Sequence, residues 1–208
     1  MPPAPKFSRE QIIDAALSIV REKGMEMLTA RELADRLGSS TRPIFTVFKD
    51  MDELKAAVYL AAERFLQEYI ERSLRFTPAF KQQGLLIIHF AMDEPRLFQM
   101  LEMTPNGEPK DIDTLFRERG ASDKVMMDII EKQYGLTEDE AHMLFKHVWI
   151  YTYGICVLCA THQCEFKEEE LVQMLGMEFM AMMGYIKSGG LKRVTETPVP
   201  LEGEGKKD

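Results

Sequence analysis

The sequence predicts an all-α fold, and three observations carry that expectation. Apolar residues recur at helical spacing through almost the whole chain. Ser/Thr/Asp followed three residues later by Glu or Gln opens segment after segment, the mark of a helix N-terminus. Gly and Pro stand where those segments stop and start. The expected organisation is a small helical module in residues 1–50, a larger helical body in 51–190 and a disordered tail in 191–208, which mixes Pro, Gly and charge.

The first helix should run from Ser8 to Lys23. Ser8 and Gln11 form a capping box, Phe7 and Ile12 a hydrophobic staple, and Ile12, Ile13, Ala16, Leu17 and Val20 one apolar face. Gly24 ends it. Thr29 and Glu32 then repeat the box, with Leu28 and Leu33 as the staple. Leu33, Ala34 and Leu37 face inward, and Gly38 closes this short helix because glycine enters the left-handed conformation at little cost. Ser39 and Ser40 offer the next N-cap. Ile44 and Phe48 are spaced to pack inward, which leaves Thr41, Arg42, Pro43, Phe45 and Thr46 facing out. Two short helices about a Gly turn form a helix-turn-helix pattern, which carries the second helix into the major groove of DNA. Candidate DNA-contacting residues are Thr29, Arg31, Ser40, Thr41, Arg42, Pro43, Phe45, Thr46 and Lys49. Arg42, in the first turn of the second helix, suits guanine O6 and N7, and Pro43 and Phe45 suit thymine methyls or sugars.

The segment from Phe7 to Val58 resembles the TetR/AcrR family of bacterial one-component transcriptional regulators. Ala34, Gly38, Ser40, Ile44, Phe45, Phe48 and Leu54 carry the resemblance. The chain has Phe45, Val47 and Met51 where that family often has Tyr, His and Lys. The usual backbone contacts of the Tyr and Lys are lost, which shifts the load to Arg42, Thr46 and Lys49. The resemblance implies a homodimer built through the last two long helices, and a double-stranded operator as partner.

Charge divides unevenly. The net charge is −8, yet between Lys6 and Lys55 nine Lys and Arg balance nine Asp and Glu, so the excess acid lies in the remainder. A neutral module is a weak electrostatic footprint for DNA; helix N-termini and a few well-placed cations must supply the phosphate contacts. The acidic remainder would suppress non-specific binding.

Asp50 and Glu53 open a long linking helix, from Met51 to about Ser73 or Phe76. Pro78 begins a helix to about Asp93, and Pro95 a short one to about Met103. Thr104–Pro109 is a loop by composition, with less regular helix after it to Tyr134. Thr137 and Glu140 cap a helix to about Thr161, and the last helix runs from Lys167 to Lys187. Val148–Ala160 is apolar on every side except Thr152, which requires cover on all faces. With Gly154 allowing close approach, this run predicts a partner chain. The stripe Leu171, Met174, Leu175, Met182 and Ile186 would supply the second element of that interface.

Between the linking helix and these two helices an effector pocket is expected. Its candidate walls are Phe65, His89, Phe90, Phe98, Met100, Met103, Met126, Met127, Trp149 and Tyr153. These suit a small, mostly apolar molecule, although helical spacing alone also makes them ordinary core residues. For His89 a core histidine bonded to a backbone carbonyl is the competing expectation. Cys156, Cys159, His162 and Cys164 suggest a metal or redox sensor, but steps of three residues spread side chains around a helix. The expectation is therefore inert cysteines, no metal and no cofactor. No Gly-rich phosphate loop, G-x-S-x-G or H-E-x-x-H occurs, so no catalytic residues and no enzyme are expected. With no apolar run near 18 residues and no apolar centre at the N-terminus, no membrane partner and a cytoplasmic location are expected. The reading is a ligand-responsive regulator, a repressor released from a palindromic operator. The alternatives are the metal or redox sensor and an adaptor with weak DNA binding.

Overall fold

A computed structural model describes residues 5–105, 107–117 and 121–189. The expected tail at 191–208 lies outside the described residues. The fold is all-α, with no strand among the described residues. Helix α1 spans Arg9–Lys23, α2 Ala30–Arg36, α3 Met51–Glu71 and α4 Ala79–Asp93. The short α5, Pro95–Phe98, runs on into a π turn at Gln99–Met103. Beyond it lie α6 (Ile112–Arg117), α7 (Ala121–Tyr134), α8 (Glu138–Ala160) and α9 (Glu168–Lys187).

Local chemistry sets most of these ends. Ser8 Oγ accepts from Gln11 N at 3.2 Å while Gln11 Oε1 accepts from Ser8 N at 2.9 Å, so the first capping box closes. Thr137 and Glu140 close the same box at α8. At Asp50 the box shifts: Asp50 accepts from Glu53 N, but the Glu53 carboxylate takes the Lys49 N–H at 2.7 Å. The linking helix ends at Glu71 and tightens into a 3-10 segment, Arg72–Arg75.

Two apolar clusters hold the chain together. One is continuous from the module into the body: Ile12, Ile19, Leu33, Ile44, Phe48 and Leu54 join through Val58 and Ala62 to Ile88, Phe90, Leu97 and Cys156. The second gathers Phe80, Phe116, Met126, Ile130, Leu144 and Phe145 around the first half of α8. Helix α8 runs over the span expected from its capping box, Glu138–Ala160. Among the described residues it is the one helix long and apolar enough to cross a membrane. It begins with three acidic residues and packs against α4, α7 and α9, so it is the central core helix of this body.

Candidate nucleic-acid interface and effector cavities

Helix α2 starts at Thr29, whose Oγ1 accepts from Glu32 N at 3.2 Å. The expected reciprocal bond is absent, because the Glu32 carboxylate turns to Lys23 Nζ at 2.6 Å. The helix ends in a Schellman motif. Gly38 sits at φ +59, Ser39 N donates to Ala34 O and Gly38 N to Asp35 O. The second element of the motif differs from expectation. No α-helix starts at Ser39 or Ser40; in its place stands a single 3-10 turn, Ile44–Thr46, entered through Pro43 with no side-chain cap. Pro43 has no N–H to give, and the Thr46 hydroxyl donates back to Pro43 O at 2.6 Å, which favours tight turns over a continuing ladder. Ile44 and Phe48 are fully buried beneath it and fix its orientation.

This recognition turn presents its expected face. Thr29, Arg31, Ser40, Thr41, Arg42, Phe45, Thr46 and Lys49 are exposed, and Pro43 is half-buried. The ion pairs explain how a neutral module keeps free cations. Arg9 pairs with Glu53 at 2.9 Å, Lys23 with Glu32, Arg36 with Glu22, and Arg21 with Glu94 of the body. Arg9 also lies over the Phe48 ring at 4.3 Å. These pairs occupy acids within the structure, while Arg31 and Arg42 have no such partner among the described residues. Lys49 approaches Asp50 only at 4.0 Å, with its side chain 87% exposed. Glu22 is held below its ordinary pKa by the hydrogen bond from Arg36, and Glu53 by the Lys49 N–H and then Arg9. Sequence reasoning missed Lys6, whose Nζ donates to Ser39 Oγ at 3.0 Å and so adds a cation beside the turn. Its one sequence signal is its place directly before the staple residue Phe7.

Among the described residues, the ten expected pocket residues are not gathered around one described cavity. Phe98, Trp149 and Tyr153 do meet, around an enclosed space of about 20 Å³ shared with Leu66, Ile70 and Ile87. Trp149 stacks on Tyr153 at 5.0 Å, and the Tyr153 hydroxyl donates to Glu102 O at 2.7 Å. Phe65 and Phe90 pack with Tyr69 in a neighbouring aromatic cluster. Met126 is buried in the second core cluster, with Met127 packed against it, and Met103 packs on the first. Met100 lines a different and larger cleft, of about 710 Å³. His89 corrects both expectations for it: neither carbonyl-bonded nor facing a cavity, its Nε2 meets Glu168 Oε2 at 2.7 Å. Ser73 Oγ and Gln83 Oε1 are buried without a hydrogen-bond partner among the described residues. Cys156 and Cys159 are buried, and burial pushes both thiols up, so they stay protonated; Cys164 is exposed.

Helices α8 and α9 pack together and leave an apolar outer face. On α8 it consists of Ile150, Gly154 and Leu158, spaced by four. On α9 it consists of Met177, Met180, Ala181 and Gly184. That is not the expected stripe. Leu171, Leu175 and Ile186 are buried in the chain's own core, because α9 is apolar on two sides and periodicity does not say which side its own body covers.

An exposed basic turn after a Gly-closed helix, set on an all-helical body, defines a helix-turn-helix DNA-binding protein. Residues 12–58 match the family model for bacterial regulatory proteins of the tetR family, so this module is similar to the one those regulators carry. A TetR variant from Acinetobacter baumannii AYE, solved in complex with minocycline, has a TM-score of 0.51 at 19% identity. The match covers 91% of this chain and 100% of that one, and the likeness shows the fold. A Tetr-family transcriptional regulator from Streptomyces coelicolor gives 0.43 at 21% identity, over 93% and 99% of the two chains. No curated protein matches the chain at a significant level of sequence similarity.

Proposed function

We propose that this regulator is a repressor that binds a palindromic operator as a homodimer and is released by a small, mostly apolar molecule. The recognition turn carries the reading: Arg42 and Lys49 stand exposed beside Phe45, with no strong ion pair to compete with DNA. Residues 1–50 are the DNA-binding domain, and 51–190 bind the effector and dimerise. The outer face of α8 and α9 joins the two protomers, setting their recognition turns about one helical turn of DNA apart, ~34–36 Å. The effector enters between Phe98, Trp149 and Tyr153. That space is far below the ~300–1,000 Å³ of small-molecule sites, so entry must part the rings and move α5, which packs on α1. The Acinetobacter structure holds minocycline, and a ligand of that size tests the reading here as well.

The experiment is selection of bound duplexes from a random library, then titration of the recovered site at several salt concentrations. A two-fold symmetric site with a steep salt slope is expected. Binding with no base preference at low salt would mean an adaptor, and would overturn the proposal.

A further inference from the structure

The cavity beside Met100 belongs to neither the recognition turn nor the aromatic rings. It is an open cleft of about 710 Å³ between module and body, within the ~300–1,000 Å³ range of small-molecule sites. Met25 and Glu26, from the turn after α1, form one wall. Lys55, Tyr59 and Leu60 of α3 form the floor, and Arg96 and Met100 close the far side. Glu26 and Arg96 face each other at 3.9 Å. Lys55 Nζ and the Tyr59 hydroxyl make no hydrogen bond or ion pair among the described residues. Leu60 is 57% exposed there, a large apolar side chain without cover.

We propose that this cleft is an effector site for a small amphipathic organic anion. Its acidic group meets the Lys55 ammonium and the Tyr59 hydroxyl, and its apolar body lies on Met25, Leu60 and Met100. Among the charged residues that line the cleft, Glu26 and Arg96 oppose each other, which leaves the Lys55 cation for an anion to meet as the site loses water. The Tyr59 phenol is pushed up, first by burial and then by Glu63 and Glu102, so it stays a donor at neutral pH. An occupant touches the turn after α1 and the start of α5 at once, so its affinity depends on how module and body are set against each other. The same dependence makes it shift operator affinity. This inference rests on the reading of the chain as an operator-binding regulator.

The test uses the full chain and two probes with the same aromatic body: 8-anilinonaphthalene-1-sulfonate, which is an anion, and N-phenyl-1-naphthylamine, which lacks the sulfonate. Fluorescence titration should show saturable binding of the anion. Lys55→Met should weaken it about tenfold or more and leave the neutral probe within about twofold. Ala56→Trp, from an exposed position lining the cleft, should abolish both, with the melting temperature checking that each variant is folded. Anion binding that survives either variant overturns the site. The anion should also change affinity for the selected operator by about fivefold or more in the natural chain and not in Lys55→Met. Binding without that change overturns the effector role. If no operator is recovered, the regulator reading fails on its own, while the two-probe titration still decides whether the cleft binds.

Discussion

Arg42 has no partner on the recognition turn, whereas Arg36, six residues earlier, is locked to Glu22 by two hydrogen bonds. The two arginines therefore have separable roles. Arg42→Ala should weaken operator binding by ~1–3 kcal/mol and relax base preference at one position per half-site. Lys49→Ala should weaken all sequences alike and lower the salt slope by ~1. Gel shifts on the selected site and on scrambled duplexes distinguish them; two variants that bind like the natural chain would displace the recognition turn from the interface. Backbone positions give a second test. Gly38, at φ +59, has open space where a Cβ would stand, so Gly38→Ala should cost only the left-handed penalty, roughly 1–2 kcal/mol. Gly24 sits at φ +91 and ψ 163, a glycine-only region, and a Cβ there meets the Glu26 carboxylate. Gly24→Ala should therefore destabilise more than Gly38→Ala in urea unfolding, and the reverse order would refute this account.

At the scale of elements, the module is clamped by acids in unusual states. Glu22 ties α1 to α2 through Arg36, and Glu53 ties α3 to α1 through Arg9. Both carboxyls lie below their ordinary value of 4.5 in the folded chain. The unfolded state thus takes up these protons first. Their stabilisation is full above about pH 4.5 and is lost as pH falls through the lower folded values. Urea midpoints measured from about pH 6 to about pH 3 should decline, and Glu53→Gln should flatten that decline. An unchanged profile would mean that the pair does not persist in solution. The α-helices were legible at this scale because caps act within four residues of themselves. The recognition turn was not, since Pro43 and the Thr46 hydroxyl together decide between a 3-10 turn and an α-helix, and helical spacing hardly separates the two.

For the whole molecule, the proposed assembly through the outer face of α8 and α9 is open to a direct test. No atom lies within 4 Å of a Cβ placed on Gly154, so Gly154→Leu should leave the protomer's helicity intact. In a dimer joined through that face it should overpack by roughly 1–3 kcal/mol. Sedimentation should then show a shift toward monomer, and operator affinity should fall with it, because paired half-sites depend on effective concentration. A natural chain that sediments as a stable monomer would rule out this assembly. Coupling between the parts is a second whole-molecule property. Arg21 of α1 makes two hydrogen bonds to Glu94 at the end of α4 and lies over the Phe65 ring at 5.6 Å. Glu94→Gln should leave the recognition turn folded yet reduce the effector's shift of operator affinity. An unaltered shift, read by titrating operator with and without effector, would show that coupling runs elsewhere.

The sequence alone determined where nearly every helix begins and ends, because Ser8 with Gln11, Thr137 with Glu140, and Gly24 and Gly38 act on their own backbone neighbours. It also determined which side chains leave the core at the recognition turn, since burial of Ile44 and Phe48 turns the residues between them outward. Tertiary structure decided the rest, in each case because a side chain had several partners within reach. Glu32 chose Lys23 over its own cap, His89 chose Glu168 across two helices, and α9 turned Leu171 and Leu175 inward and Met177 and Met180 out. The large cleft is bounded by residues from three separate stretches, from Gly24 to Pro105. A helical period states which residues share a face; only the packing of other helices states which face is covered and where space is left between them.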